Sequence, residues 1–147
     1  MRTTRNRNSQ RGATLVEFSI AATVFLMTMF AVLEFGRALW THNALTDAAR
    51  KGARYAVLHS QGDIDAVKNV VVYGDPAGGT NPVVDNLSTT NVNVVYSDFK
   101  LDGGTVQVTI TDYRFHFVIP IIGTEIQMPN YTTTLTGESV GTLPPVL

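Results

Sequence analysis

An α+β fold, one long N-terminal helix packed against a small antiparallel β-sheet domain, is predicted by three observations. No charge occurs from Phe18 to Leu33. No proline occurs between Ala13 and Asp75, and alanine dominates from Ala38 to Ala56. In the second half Val106, Val108 and Ile110 alternate with Gln107, Thr109 and Thr111. The first two describe a helix that outlasts a membrane, and the third describes a half-buried strand.

The opening residues, 1–12, hold Arg2, Arg5, Arg7 and Arg11 and no acid. Such a basic arm is held at the cytoplasmic face of a membrane. Residues 13–33 follow as the membrane span, about 31 Å long as a helix against a hydrocarbon core of roughly 30 Å. Glu17 is its only charge.

Residues 34–60 continue the helix outside the membrane. Glu34 and Arg37 mark the exit from hydrocarbon, Asp47 can pair with Arg50 or Lys51, and helix is expected to about Leu58. Ala44, Ala48, Gly52 and Ala56 recur every four residues and stack on one face. Such a row admits a second backbone, as in membrane helix pairs, or seats the chain's own sheet, which is the preferred expectation.

Residues 61–147 form a small extracytoplasmic α+β domain. Asp63 is placed to cap a short helix carrying Ile64, Val67 and Val71. Gly74 to Thr90, with Pro76, Gly78, Gly79, Asn81 and Pro82, reads as a loop. Strands are expected at Asn91 to Ser97, after the Leu101 to Gly104 turn through Val106 to Ile110 and on towards Ile119, and at Tyr131 to Thr136. One face of this sheet needs a cover, and the outer half of the long helix supplies it.

Charge and composition exclude several functions. The net charge of −1 becomes −5 without residues 1–12, which leave 7 basic against 12 acidic positions. That is the wrong sign for nucleic acid, whose phosphates demand clustered cations. Cysteine is absent, so neither disulfides nor thiolate metal sites hold the fold. Gly137 to Gly141 spells G-x-S-x-G, but six residues follow it and none is histidine, so it is no nucleophile elbow. His42, His59 and His116 lack ligand spacing. The glycines of the Asp75 to Gly79 loop lack the lysine and hydroxyl of a phosphate loop. No catalytic residue, metal, cofactor or small-molecule substrate is expected.

A secretory signal peptide has the same order of basic and apolar regions, but this apolar stretch is long for one and no small-residue cleavage site follows it. The segment Arg11-Gly12-Ala13-Thr14-Leu15-Val16-Glu17-Phe18 instead resembles a type IV prepilin processing site. The resemblance implies that a membrane-embedded prepilin peptidase cuts between Gly12 and Ala13 and leaves the apolar helix on the protein. Glu17 then either snorkels to the cytoplasmic headgroups or neutralises the freed amino terminus of a neighbouring subunit. The second is preferred, because Gly12 and the arginine arm stand beside it.

Further along, Leu33-Glu34-Phe35-Gly36-Arg37 and Asn43 through Ala56 resemble a TadE-like protein, densely over residues 11 to about 58. This implies a pilin-like fold and a minor pilin or pseudopilin of a Tad-type (type IVc, Flp) pilus or secretion machine. Its implied partners are the prepilin peptidase, other Tad pilins or pseudopilins, the inner-membrane assembly platform and the lipid bilayer. The implied location is the bacterial inner membrane, N-terminus cytoplasmic and domain periplasmic, with passage to the pilus or cell surface after assembly. Glu17-Phe18, where abundant Flp pilins carry Glu-Tyr, and the length of the chain fit the minor class. The alternative is a monomeric, single-pass membrane-tethered binding or adhesive domain.

Overall fold

A computed structural model describes residues 8–59, 62–100, 103–119 and 124–137, with side chains for 12–59, 62–97, 104–119 and 124–137. Arg2, Arg5 and Arg7 of the basic arm, the side chain of Arg11, the Leu101-Asp102 part of the expected turn and positions 138–141 of the rejected serine motif lie outside the described set.

Helix α1 runs unbroken from Asn8 to Leu58, 51 residues or about 76 Å. It ends at the expected residue. Helix α2 spans Ile64–Tyr73 and closes on Gly74, whose φ of 76° is the left-handed cap that glycine adopts without strain. After a loop and a 3₁₀ turn at Thr89–Asn91, strands β1 (Val92–Lys100) and β2 (Gly103–Ile110) form an antiparallel pair. β5 (Tyr131–Thr136) adds to the other edge of β2, giving the order β1-β2-β5.

The expected run of β2 towards Ile119 does not occur. Asp112 takes a φ of 55°, a left-handed turn that few non-glycine residues adopt. The chain leaves the sheet there and forms β3 (Arg114–His116), which pairs with β4 (Glu125–Gln127) as a separate two-stranded ribbon. Tyr113, Phe115 and Phe117 keep a two-residue period after β2, which is why the sequence reads as one long strand.

The sheet buries Val92, Val106, Val108, Ile110 and Tyr131 on its inner face. Its outer face is hydroxyl-rich, with Thr109 and Thr132 Oγ1 atoms 3.2 Å apart across the strands. Against the inner face lie α1 and α2. From α1 come Leu45, Ala48, Ala49, Gly52, Ala53 and Ala56, all buried, with Ala44 half-buried at their edge. The expected four-residue row is therefore one half of a broader small-residue face.

Gly52 is the tightest point of that face. A Cβ built there would stand 2.2 Å from Val71 Cγ2 of α2 and 3.6 Å from Val108 Cγ1 of β2. Val71 is fully buried and β-branched, so it has no easy rotamer escape. Gly52→Ala gains up to about 1 kcal/mol of helix propensity and loses about 1–3 kcal/mol to overpacking. The expected net result is a lower melting temperature by circular dichroism in micelles, restored when Val71→Ala is added.

Candidate functional site

Two parts of α1 divide the work of this molecule, and they differ in what they touch. From Gly12 to Met29 every described side chain is exposed except the half-buried Ala22. Leu15, Val16, Phe18, Ile20, Val24 and Phe25 each leave more than half their surface uncovered. By length and composition this helix can cross a membrane. Its hydroxyls are satisfied internally: Ser19, Thr23 and Thr28 donate to the carbonyls of Leu15, Ser19 and Val24 at 2.8, 2.8 and 2.9 Å. A hydroxyl in hydrocarbon has no water to bond, so back-bonding to its own helix removes that cost.

Gly12 and Ala13 lie in the second turn of α1, exposed. Apart from its chain neighbours and its own helix backbone, no heavy atom lies within 4 Å of a Cβ built on Gly12. Thus nothing in the fold demands glycine at position 12, whereas packing demands it at position 52. Glu17 and Phe18 are one turn further on, also exposed. Among the described residues no hydrogen-bond or ion-pair partner serves Glu17. The structure therefore does not bring Gly12, Ala13, Glu17 and Phe18 together with the helix-packing row: about 40 Å of helix separates Glu17 from Ala44.

The second part begins at Glu34, which sequence inspection marks only as the edge of the span. Its carboxylate is buried, at 8% exposure. Oε1 and Oε2 each accept from Arg37 Nη1 at 3.2 Å, and Oε1 accepts from the Val118 amide at 3.3 Å. Arg37 Nη2 donates to the His116 carbonyl, and the guanidinium sits 4.6 Å over the Phe115 ring. An ion pair at the end of the apolar run thus ties the β3–β4 ribbon to α1. Arg114 and His116 both bond Glu125 across the ribbon, the latter at 3.3 Å.

Farther from the span, His42 Nδ1 and the Tyr131 hydroxyl are 2.9 Å apart. Tyr113 donates to the Asp85 carbonyl at 2.8 Å, and burial pushes the Tyr113 and Tyr131 phenols up from their ordinary range. Asp47 accepts from Lys51 at 2.9 Å, and that hydrogen bond holds its carboxyl below the usual value. His59 stacks on Tyr55 with ring centroids 3.8 Å apart. A cleft of about 300 Å³ opens between Arg37, Trp40 and Thr41 of α1 and Asp85 and Asn86 of the loop. Among the described residues no three His, Asp or Glu side chains converge as metal ligands.

Residues 12–54 match the model of the TadE-like protein family. No curated protein and no solved structure matches the chain. The matched segment runs from the glycine ahead of the span, through the exposed helix and the Glu34–Arg37 pair, into the small-residue face. Over that segment α1 is similar to the TadE-like proteins.

Proposed function

From this TadE-like helix we propose that the protein is a minor pilin or pseudopilin of a Tad-type pilus or secretion machine. It enters the inner membrane with its N-terminus cytoplasmic and its α+β domain periplasmic. A prepilin peptidase cuts between Gly12 and Ala13, and the subunit is then assembled with other Tad pilins through the freed end of α1. In this reading the chain catalyses nothing and is itself the peptidase's substrate.

The observation that carries the reading is the division of α1. Its outer half is consumed by the domain's own core, while its inner half covers nothing in the described chain and stays apolar all round. A helix apolar on every side is stable only when lipid or other helices surround it. The unbroken passage of α1 into its own domain makes one stiff rod, so that whatever grips the inner half also positions the domain.

Gly12 suits a processing site for a physical reason. A peptidase needs an extended strand in its cleft, and glycine in a helix is about 1 kcal/mol less favourable than alanine. Residue 12 is thus a weak point in α1. Mass spectrometry of the protein from membranes is expected to show Ala13 as the first residue, and Gly12→Ala is expected to leave mainly precursor. Retention of residues 1–12 in the assembled protein would overturn the proposal.

A further inference from the structure

We propose that the cleft between α1 and the loop at 84–86 binds a neutral pyranose sugar ring, stacked on Trp40 and hydrogen-bonded to Thr41 and Asp85. The ring is bound and not transformed, and the inference does not depend on how α1 is processed. Three observations lead to it.

The first is a hydroxyl without a partner. On α1 Ser19, Thr23, Thr28 and Thr46 each donate to the carbonyl four residues back, the ordinary way for a helix to satisfy such a group. Thr41 does not. It is 4% exposed and lines the cleft, and among the described residues nothing bonds its hydroxyl. Buried polar groups are nearly always paired, so a hydroxyl left open on a cleft is placed to bond a group from outside.

The second is a bare aromatic surface beside it. Trp40 is 60% exposed, and among the described residues no ring or cation packs on it. It lines the cleft next to Thr41, and Tyr113 and Phe115 line the same cleft. A sugar ring carries C–H groups on its faces and hydroxyls on its rim. Apolar and aromatic walls with a few placed polar groups match both.

The third is the balance of charge. Asp85 is exposed, and among the described residues its carboxylate has no hydrogen bond or ion pair. Arg37 lines the same cleft, with Nη1 on Glu34 and Nη2 on the His116 carbonyl. The free carboxylate opposes an anion, and the guanidinium opposes a cation. A neutral ligand whose hydroxyls both donate and accept suits the two together.

The cleft is also held in shape by the fold itself. Tyr113 donates to the Asp85 carbonyl at 2.8 Å, and Val84 and Leu87, flanking Asp85 and Asn86 in sequence, are buried. Asn86 takes a φ of 63°, which asparagine accepts more readily than most residues. A volume of about 300 Å³ stands at the small end of the range for ligand sites, which suits one ring and not a long chain of them.

Trp40, the chain's one tryptophan, is itself the reporter. The full chain is held in lauryldimethylamine oxide micelles, a detergent without sugar. Tryptophan emission is followed on addition of glucose, galactose or N-acetylglucosamine, each free and as its methyl β-glycoside. A saturable change with at least one of the three is expected. Retained binding of the glycoside identifies the end of a glycan as the ligand, and its loss identifies the free sugar. Sorbitol, which has the hydroxyls without the ring, and butylamine, a cation, are expected to leave the emission unchanged. Thr41→Val keeps the shape of the side chain and removes only the hydroxyl. It is expected to weaken sugar binding by about tenfold or more, with a melting temperature unchanged or raised because no internal bond is lost. Asp85→Ala, at an exposed position, is expected to weaken binding likewise. No saturable change with any of the three sugars, or an equal change with sorbitol or butylamine, would overturn the inference. Undiminished binding by either variant, or a lowered melting temperature of Thr41→Val, would overturn it as well.

Discussion

Arg37→Ala is expected to destabilise the folded domain by about 2–4 kcal/mol. Three things are lost together: the partner of a buried carboxylate, the donor to the His116 carbonyl, and the cation over Phe115. The carboxylate decides the size. Glu34 has its side chain 11% exposed, and a buried charge stripped of its counter-ion keeps its full desolvation cost. The lower end of the range reflects Arg37 itself, whose side chain is 40% exposed, so water already screens part of the pair.

The same geometry makes the effect lopsided. Glu34→Gln leaves Arg37 able to reach water and still bond His116, so it is expected to cost less, about 1–2 kcal/mol. Thermal unfolding of both variants in micelles measures the difference. Equal losses would mean that Glu34 is not the buried member of the pair.

This ion pair also marks where the sequence stops being informative. A Glu and an Arg three residues apart at the end of an apolar run are legible as a local helix pair. Their partners at 116 and 118 are some 80 positions away, and no local spacing announces them. The same holds for β3: Tyr113, Phe115 and Phe117 continue an alternation like that of β2, and only the left-handed backbone at Asp112 turns them into a different ribbon.

What depends on local chemistry is readable. Alanine content and the lack of proline carry α1 to Leu58, Gly74 stops α2, and the alternating residues of β2 put Val106, Val108 and Ile110 inside. The small-residue row is visible at a spacing of four, but Leu45, Ala49 and Ala53 join it because α2 as well as the sheet lies on that face. Glu17 is legible for the opposite reason. A carboxylate in an apolar run needs no structure to look out of place.

Glu17→Gln is expected to remove the subunit from sheared filaments, at least about tenfold, while processing and membrane insertion continue. The direction follows from what the carboxylate costs. Near a membrane an unpaired acid is unfavourable, by about 2.5–3.5 kcal/mol at the centre of a span and less towards its edge. Losing the charge therefore makes the precursor, if anything, a better membrane protein, and a failure of insertion is not the expected outcome. Within the chain, Glu17 has no described partner to lose, so the fold of the domain is not expected to change either.

What remains is a contact between subunits. If the carboxylate neutralises the ammonium that cleavage creates at Ala13 of a neighbour, a tenfold loss requires only about 1.4 kcal/mol from that pair. A pair shielded from water exceeds that amount easily. The substituted amide keeps the shape of the carboxylate and loses its charge, so the result isolates the electrostatic part. Immunoblots of sheared and membrane fractions from cells with and without the substitution give the ratio directly. An unchanged ratio would favour a tethered binding domain that acts alone, because such a protein has no use for a second chain's amino terminus.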